Sequence, residues 1–219
     1  MAFNVKAVMF DLDGTLIHTA PEIATAINRM LSDLSLPELP PLQIQRYIGE
    51  GAQALIRRSV TATVTADDAL LARAQALFFE HYANTVTLSK PYPKVFEGLA
   101  ALKQTGVHLA CVTNKPERFT LPLLEASGLM SYFELVVAGD TLAKKKPDPI
   151  QLQHICAKFK ILEAEAMLVG DSLTDVKAAH AAGCYIVTVP YGYNQGVPID
   201  ESLVDAHIHD LTDLLALID

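Results

Sequence analysis

Four aspartates follow two short apolar segments of the sequence, residues 7–10 and 167–169. The four are Asp11, Asp13, Asp171 and Asp175. If folding brings these carboxylates together, each pair of charges about 4 Å apart repels by about 4 kcal/mol at an effective dielectric constant near 20. A divalent cation removes this repulsion. The spacing therefore predicts a cation site built from carboxylates.

Other polar residues of the chain would suit a phosphate group. Thr113, Asn114 and Lys115 follow the apolar residues 109–112, and Lys146 lies in a later polar loop. The Lys146 ammonium and a cation can neutralise phosphate oxygens, while the Thr113 hydroxyl and nearby backbone N–H groups can bind them. Oxygen ligands without histidine or cysteine favour Mg²⁺ over zinc. These residue types predict a site for Mg²⁺-dependent phosphoryl transfer.

The elements that must position these residues are short apolar segments that alternate with helical patterns. The predicted strands are residues 7–10, 109–112, 135–138, 167–169 and 186–189, and the predicted helices are 95–104, 117–126, 149–159, 173–182 and 211–218. This alternation is typical of parallel βαβ units with helices on both faces of one sheet. We expect an α/β fold, a doubly wound parallel sheet with a Rossmann-like core. Ligands of such sheets bind at the carboxyl ends of the strands, where the polar residues lie.

Residues 17–87 interrupt this alternation. They contain helical patterns at 21–35, 43–47, 52–60 and 66–82, with no convincing strand between them. The return at residues 90–93 contains two prolines, which restrict the backbone. We expect an α/β core made of residues 1–16 and 88–219 and a helical cap domain made of residues 17–87.

The composition indicates a globular chain and disfavours several partners. The chain has 219 residues, 51% of them hydrophobic, and a formal net charge of −8. Its negative field repels polyanions, so we expect no binding to nucleic acid or membranes. No apolar run approaches the roughly 18 residues that cross a bilayer, and the residues around Lys6 do not resemble a signal peptide. We expect a cytoplasmic monomer or homodimer.

The cysteines and two histidines receive structural interpretations. Cys111, Cys156 and Cys184 lie far apart without Cys-x-x-Cys spacing, so we expect buried, reduced thiols. His207 and His209 alternate as residues on one face of a strand do. No acidic motif accompanies them, and we expect them not to bind a metal.

Four segments together resemble the motifs of the haloacid dehalogenase superfamily, in the same order along the chain. They are Asp11-Leu12-Asp13-Gly14-Thr15-Leu16, Thr113 at its strand end, Lys146-Pro147-Asp148-Pro149 and Gly170-Asp171-Ser172-Leu173-Thr174-Asp175. The resemblance covers the whole chain, including the helical insertion after the first motif. Residues 48–52, 113–116, 139–142 and 191–196 are also similar to stretches of bacterial phosphoglycolate phosphatases.

This resemblance implies functions for the motif residues. Asp11 would attack phosphorus and form an aspartyl-phosphate, and Asp13 would protonate the leaving alkoxide and then activate water. Asp11, the backbone carbonyl of Asp13, and Asp171 would hold Mg²⁺, while Asp175 would orient a metal-bound water or Lys146. The implied activity is Mg²⁺-dependent hydrolysis of a small phosphate monoester, with 2-phosphoglycolate as the leading substrate.

Contacts to the rest of the substrate are predicted from the chemistry of glycolate. Its carboxylate needs an anion site beyond the phosphate site, and arginine can bind a carboxylate through two hydrogen bonds. Arg58 follows the glycine-containing residues 49–51, and Lys115 is a second candidate. We also expect Gly14 to let the backbone approach the phosphoryl oxygens and Asn114 to contact the substrate.

Three other functions remain open at this point. A phosphatase for another small sugar phosphate and a phosphomutase would use the same motifs, but the mutase must retain the phosphoryl group to return it. A phospho-acceptor switch domain also combines a parallel sheet with Asp, Thr, Lys and Mg²⁺, but it needs no inserted cap. Turnover of a small ester and the identity of the products distinguish these functions.

Overall fold

Helices flank a six-stranded sheet in the computed structural model, which describes residues 2–219. The strands are β1 (Ala7–Phe10), β2 (Ile17–His18), β3 (Lys90–Pro91), β4 (His108–Val112), β5 (Leu135–Val137), β6 (Ala166–Gly170), β7 (Tyr185–Thr188) and β8 (Ala206–His207). The α-helices are α1 (Ala20–Asp33), α2 (Pro41–Gln45), α3 (Ala52–Thr61), α4 (Asp68–Ala83), α5 (Val95–Thr105), α6 (Glu117–Ala126), α7 (Ile150–Phe159) and α8 (Leu173–Ala182).

The main sheet has the order β5-β4-β1-β6-β7-β8, and all its neighbouring strands are parallel. Short apolar strands that are buried on both faces favour this arrangement, since crossover helices cover the sheet between parallel strands. Phe10 at the end of β1 lies opposite Cys111 of β4 and Val169 of β6. These three strands therefore end near the same level. The predicted α/β fold with a doubly wound parallel sheet is confirmed.

Helices α1 to α4 are inserted between β2 and β3. These two strands pair antiparallel, with Ile17 opposite Pro91 and His18 opposite Lys90, so the chain leaves and returns at one place. The four inserted helices correspond to the four predicted helical patterns. Their buried side chains join the hydrophobic cluster that also contains Phe10 of β1. The division into a cap of residues 17–87 and a core of 1–16 and 88–219 stays a prediction.

The C-terminal segment differs from the predicted helix 211–218. The structure has a 3₁₀ helix at Leu211–Ala216 instead. Phe3 explains its early end, because the Phe3 N–H donates to the Leu217 carbonyl at 2.7 Å and the Phe3 carbonyl accepts from the Asp219 N–H at 3.1 Å. A longer helix would pair the Asp219 N–H within itself, so the contacts to the N-terminal segment compete with it.

Two smaller expectations have different outcomes. The prediction that His207 and His209 share a strand face is wrong, because β8 ends at His207 and the His209 N–H donates to the Asp213 carboxylate at 2.9 Å in the following turn. The cysteines are all buried and free, as predicted.

Within residues 2–219, no helix is both long enough and apolar enough to cross a membrane.

Candidate active site

Lys146 joins two of the predicted aspartates at the edge of the sheet. Its ammonium lies 2.9 Å from Asp11 Oδ1 and 2.7 Å from Asp175 Oδ1, and it donates to the Val112 carbonyl at 2.8 Å. The three ammonium protons therefore have three acceptors within the protein. Burial lowers the pKa of Lys146, but attraction to Asp11 and Asp175 outweighs burial and raises the pKa above its ordinary value. Lys146 is a permanent cation of the site.

The loop that carries Lys146 is held by Gln151 at the start of α7. Gln151 Oε1 accepts from the Lys146 N–H at 3.0 Å, and Nε2 donates to the carbonyls of Ala138 at 2.9 Å and Thr113 at 3.3 Å. This buried amide ties the loop to the segments after β4 and β5. The sequence pattern did not indicate Gln151 as a site residue. The available signal was a polar side chain five residues after Lys146, where a predicted helix begins.

Asp171 is oriented by two hydrogen-bond donors and enclosed by two glycines. Thr15 Oγ1 donates to Asp171 Oδ1 at 3.0 Å, and the Tyr193 N–H donates to Oδ2 at 2.6 Å. A Cβ atom at Gly14 would lie 2.6 Å from Oδ2, and one at Gly192 would lie 2.0 Å from the Asp171 Cβ. Gly14 also has a φ of +89°, which glycine adopts without strain. Larger residues at these two positions would displace the Asp171 carboxylate.

Asp11, Asp171 and Asp175 form one acidic cluster, because each offers a carboxylate oxygen within 4.8 Å of those of the other two. Burial raises the pKa of Asp11 to about 6 although Lys146 opposes the rise, and Asp175 adds to it. Burial, then repulsion from Asp175 and Asp11, raises the pKa of Asp171 well above its usual range. Lys146 pairs with two of these three buried carboxylates, and Asp171 has no cationic partner among the described residues. The excess of negative charge, the oxygen donors and the absence of side chains at Gly14 and Gly192 fit a divalent cation.

Both carboxylate oxygens of Asp175 are engaged by the protein. Oδ1 contacts Lys146, and Oδ2 accepts from the Ser172 N–H at 3.1 Å and from the Ser172 hydroxyl at 2.6 Å. Ser172 and Asp175 form the capping box of α8, which fixes the start of that helix. The role predicted for Asp175, orienting a metal-bound water or Lys146, stays a prediction, and its contact with Lys146 is the observation that bears on it.

Thr113 and Asn114 connect the site with the inserted helices. Thr113 is buried and borders the same cavity as Asp11. Asn114 Nδ2 donates to the Gly49 carbonyl at 3.0 Å and to the Lys146 carbonyl at 2.8 Å. Its Oδ1 is buried and has no hydrogen-bond partner in residues 2–219. Substrate contact by Asn114 stays a prediction, and Oδ1 is the atom available for it.

Lys115 lies on the other side of the site and contacts Asp13. Lys115 Nζ is 2.8 and 3.1 Å from the two Asp13 carboxylate oxygens and 2.7 Å from the Tyr82 hydroxyl of α4. Burial, followed by the charge of Asp13, raises the pKa of Tyr82 well above its usual value, so the hydroxyl stays neutral. Tyr82 packs against Phe78 and Phe119. Its apolar helical context gave no signal that it reaches the site.

A cavity of about 40 Å³ lies between the sheet edge and the inserted helices. Its lining includes apolar side chains, and the charged and amide side chains among its lining residues are Asp11, Asp13, Asn114 and Lys115. Lys115 is the one cation that the described residues place in this lining. Arg58 lies outside it, with Nη2 at 2.5 Å from Glu50 Oε1 and a side chain that is 35% exposed. Substrate contact by Arg58 stays a prediction that this placement does not favour.

Comparisons with known proteins agree with this fold. The sequence profile described as haloacid dehalogenase-like hydrolase matches residues 8–189. The chain is 50% identical over 217 residues to a phosphoglycolate phosphatase of Nitrosospira multiformis, covering 98% of this chain and 96% of the relative. It is 48% identical over 218 residues to one of Thiobacillus denitrificans, with the same coverage of 98% and 96%.

Solved structures show the same similarity. A crystal structure of a predicted phosphoglycolate phosphatase from Haemophilus somnus superimposes with a TM-score of 0.93 at 36% identity, and the match covers 97% of both chains. The chain belongs to the haloacid dehalogenase-like hydrolases, and the resemblance inferred from its four motifs is confirmed.

Proposed function

We propose that the chain is a phosphatase that hydrolyses a small phosphate monoester through a phosphorylated Asp11, with 2-phosphoglycolate as the main substrate. The contact of Lys146 with Asp11 inside the buried acidic cluster carries this proposal. A carboxylate beside a buried ammonium and a cation site can receive a phosphate anion that it would otherwise repel. The relatives named phosphoglycolate phosphatase support the choice of ester.

The residues divide the reaction into two displacements. An Asp11 carboxylate oxygen bonds to phosphorus while the ester P–O bond breaks, and Asp13 gives a proton to the leaving alkoxide. Asp13 then takes a proton from water as the water oxygen bonds to phosphorus, and the bond between phosphorus and Asp11 breaks. Phosphate leaves, and both aspartates return to their starting states. Thr113 would bind the phosphoryl oxygens, and Lys146 keeps the Asp11 carboxylate in place.

We assign the cation site to Mg²⁺. Asp11, Asp171 and the backbone carbonyl of Asp13 would hold the ion, while Asp175 supports Lys146. The donors are all oxygen atoms, which Mg²⁺ prefers. When bound, the ion would neutralise charge on the phosphoryl oxygens and on the attacking carboxylate.

Lys115 is the residue that we assign to the substrate carboxylate. It borders the cavity beside Asp13, whereas Arg58 is engaged by Glu50 outside it. The small size of the cavity favours a short leaving group such as glycolate. We place this activity in the cytoplasm, in a monomer or homodimer that binds neither nucleic acid nor membranes, since the net charge of −8 repels anionic surfaces.

A panel of small phosphate esters headed by 2-phosphoglycolate, assayed with Mg²⁺ and with EDTA, tests the activity. We expect phosphate release to be fastest with 2-phosphoglycolate and to stop with EDTA. A sugar phosphate that is hydrolysed faster would identify another phosphatase. An isomerised product without free phosphate would identify a mutase, and stable phosphorylation without turnover would identify a switch domain.

Thermal unfolding tests the cation site without using activity. Mg²⁺ at about 100 times its Kd should stabilise the folded protein by about 2.7 kcal/mol, because it binds the folded state alone. Asp171→Asn should remove most of this shift. Asp33→Asn is the matched control, since Asp33 pairs with His81 on the inserted helices. Equal Mg²⁺ shifts in both variants would argue against a cation at the acidic cluster.

A further inference from the structure

The ion pair between Lys115 and Asp13 is largely buried and borders the cavity. The two side chains are only 3% and 13% exposed. The Lys115 ammonium has three N–H donors, and three oxygen atoms surround it within 3.1 Å: both carboxylate oxygens of Asp13 and the Tyr82 hydroxyl. A substrate carboxylate can therefore bind Lys115 only if one of these partners leaves.

Asp13 is the partner that must leave for chemistry to occur. While Lys115 holds both of its oxygens, the Asp13 carboxylate has no free orientation toward the ester oxygen that it should protonate. Tyr82 is fixed by its packing between Phe78 and Phe119, at ring-centroid distances of 5.3 and 5.0 Å. It can therefore keep Lys115 in place while Asp13 moves.

We propose that the carboxylate of the substrate displaces Asp13 from Lys115 and thereby releases Asp13, which takes up a proton from solvent and gives it to the leaving alkoxide. This inference rests on the proposed function. It adds that binding of the substrate carboxylate to Lys115 increases the rate of the chemical step. The exchange replaces one carboxylate by another, so the buried ammonium stays paired throughout. An ester with a neutral end cannot make this replacement, and it leaves Asp13 held by Lys115.

Lys115→Met tests the exchange, with 2-phosphoglycolate and ethyl phosphate as substrates. Ethyl phosphate has the same two carbons and no carboxylate. We expect the wild-type kcat to be about 10²-fold higher for 2-phosphoglycolate, within the range that a positioned general acid contributes. Lys115→Met should lower kcat/KM for 2-phosphoglycolate about 100-fold and raise kcat for ethyl phosphate about tenfold, because Asp13 is no longer held. A lysine that only binds substrate would leave ethyl phosphate turnover unchanged.

Lys103→Met is the matched control. The Lys115 ammonium lies over the ring of Tyr82, and the Lys103 ammonium likewise lies over the ring of Tyr132. Lys103 donates to the Ser131 carbonyl at 2.8 Å on the protein surface. Both kcat values should stay at the wild-type level in this variant. If Lys115→Met slows both esters equally or leaves ethyl phosphate unchanged, the exchange is wrong. If wild-type protein does not hydrolyse 2-phosphoglycolate, the proposed function fails first.

Crystal structures decide the matter independently, including the case in which Lys115→Met does not fold. The inactive variant Asp11→Asn is crystallised with each ester. We expect Lys115 to contact the carboxylate of 2-phosphoglycolate and Asp13 to have turned to the ester oxygen, while ethyl phosphate leaves Lys115 on Asp13. Lys115 on Asp13 in both complexes would overturn the inference.

Discussion

Two buried lysines flank residues 11–13, and the protein builds their surroundings differently. Among the described residues, the Lys146 ammonium contacts groups at the strand ends of the main sheet and in α8. Lys115 contacts Asp13 and also Tyr82, which belongs to the inserted helix α4. The contacts of the Lys146 ammonium therefore lie at the sheet edge, whereas those of Lys115 also require the inserted helices. Under the proposed function, charge compensation at Asp11 and selection of the leaving group are therefore physically separate tasks.

The largest effect on stability and turnover is expected for a substitution of Lys146, the lysine at the sheet edge. Lys146→Met leaves Asp11 and Asp175 without their shared cation, so the free energy of unfolding should fall by about 3–5 kcal/mol. Turnover should fall by at least about 10²–10³-fold, as when a charge-stabilising donor is removed. Urea unfolding with EDTA measures the first effect. A loss no larger than that of Lys103→Met would show that Lys146 does not organise the cluster.

A smaller effect of the opposite sign is expected for Asp11→Asn without metal. In the folded protein the pKa of Asp11 is about 6, above its ordinary value of 3.8. Between these two pH values, the folded protein therefore keeps a proton on Asp11 that the unfolded protein has released. Wild-type stability should therefore fall as pH rises through this window, by up to about 3 kcal/mol. Asparagine carries no such charge, so the variant should be more stable at pH 7.5.

The pH dependence provides the control for this variant. Near pH 4, where folded Asp11 is protonated in the wild-type protein, the stability advantage of Asp11→Asn should disappear. Thermal unfolding in EDTA at both pH values measures it, while activity should be abolished at either pH. A lower melting temperature of the variant at pH 7.5 would contradict a crowded anionic site.

The smallest effect is expected on the side of the inserted helices. Tyr82→Phe removes a hydroxyl that lies 2.7 Å from Lys115 Nζ but retains the ring packing. The free energy of unfolding should fall by about 1.5–3 kcal/mol, as for a hydrogen bond to a charged group, and kcat/KM for 2-phosphoglycolate should fall. The Mg²⁺-dependent thermal shift should not change, because the acidic cluster is separate. Tyr132→Phe is the matched control, and a reduced Mg²⁺ shift in Tyr82→Phe alone would break the comparison.

The site residues at the edge of the sheet could be predicted from the local sequence pattern of the strands. Asp11, Thr113 and Asp171 each come directly after an apolar strand or its final glycine, and parallel strands align such positions at one edge. The structure places Asp11 and Asp171 in one cluster and Thr113 at the cavity that Asp11 borders. The short-range pattern was sufficient to predict these residues because parallel strands in this register end at the same edge of the sheet.

Residues outside this pattern could not be predicted in the same way. Tyr82 resembles an ordinary apolar helix position in the sequence, and its contact with Lys115 depends on where the fold places α4 relative to the segment after β4. Arg58 and Lys115 were both candidates for contact with the substrate carboxylate, and only the fold shows that α3 places Arg58 beside Glu50. Gln151 acts through two carbonyls that only folding brings near it. Helix orientation relative to the sheet is a long-range property.

The amino-acid sequence alone determined the parallel α/β fold, the acidic residues at the strand ends and the family, because strand periodicity and motif spacing are local properties of the chain. Tertiary structure decided that Lys146 neutralises Asp11 and Asp175, that Lys115 holds Asp13, and that an inserted helix completes the second contact. These pairings join residues 29 to 135 positions apart. They depend on packing between elements, which no local pattern specifies.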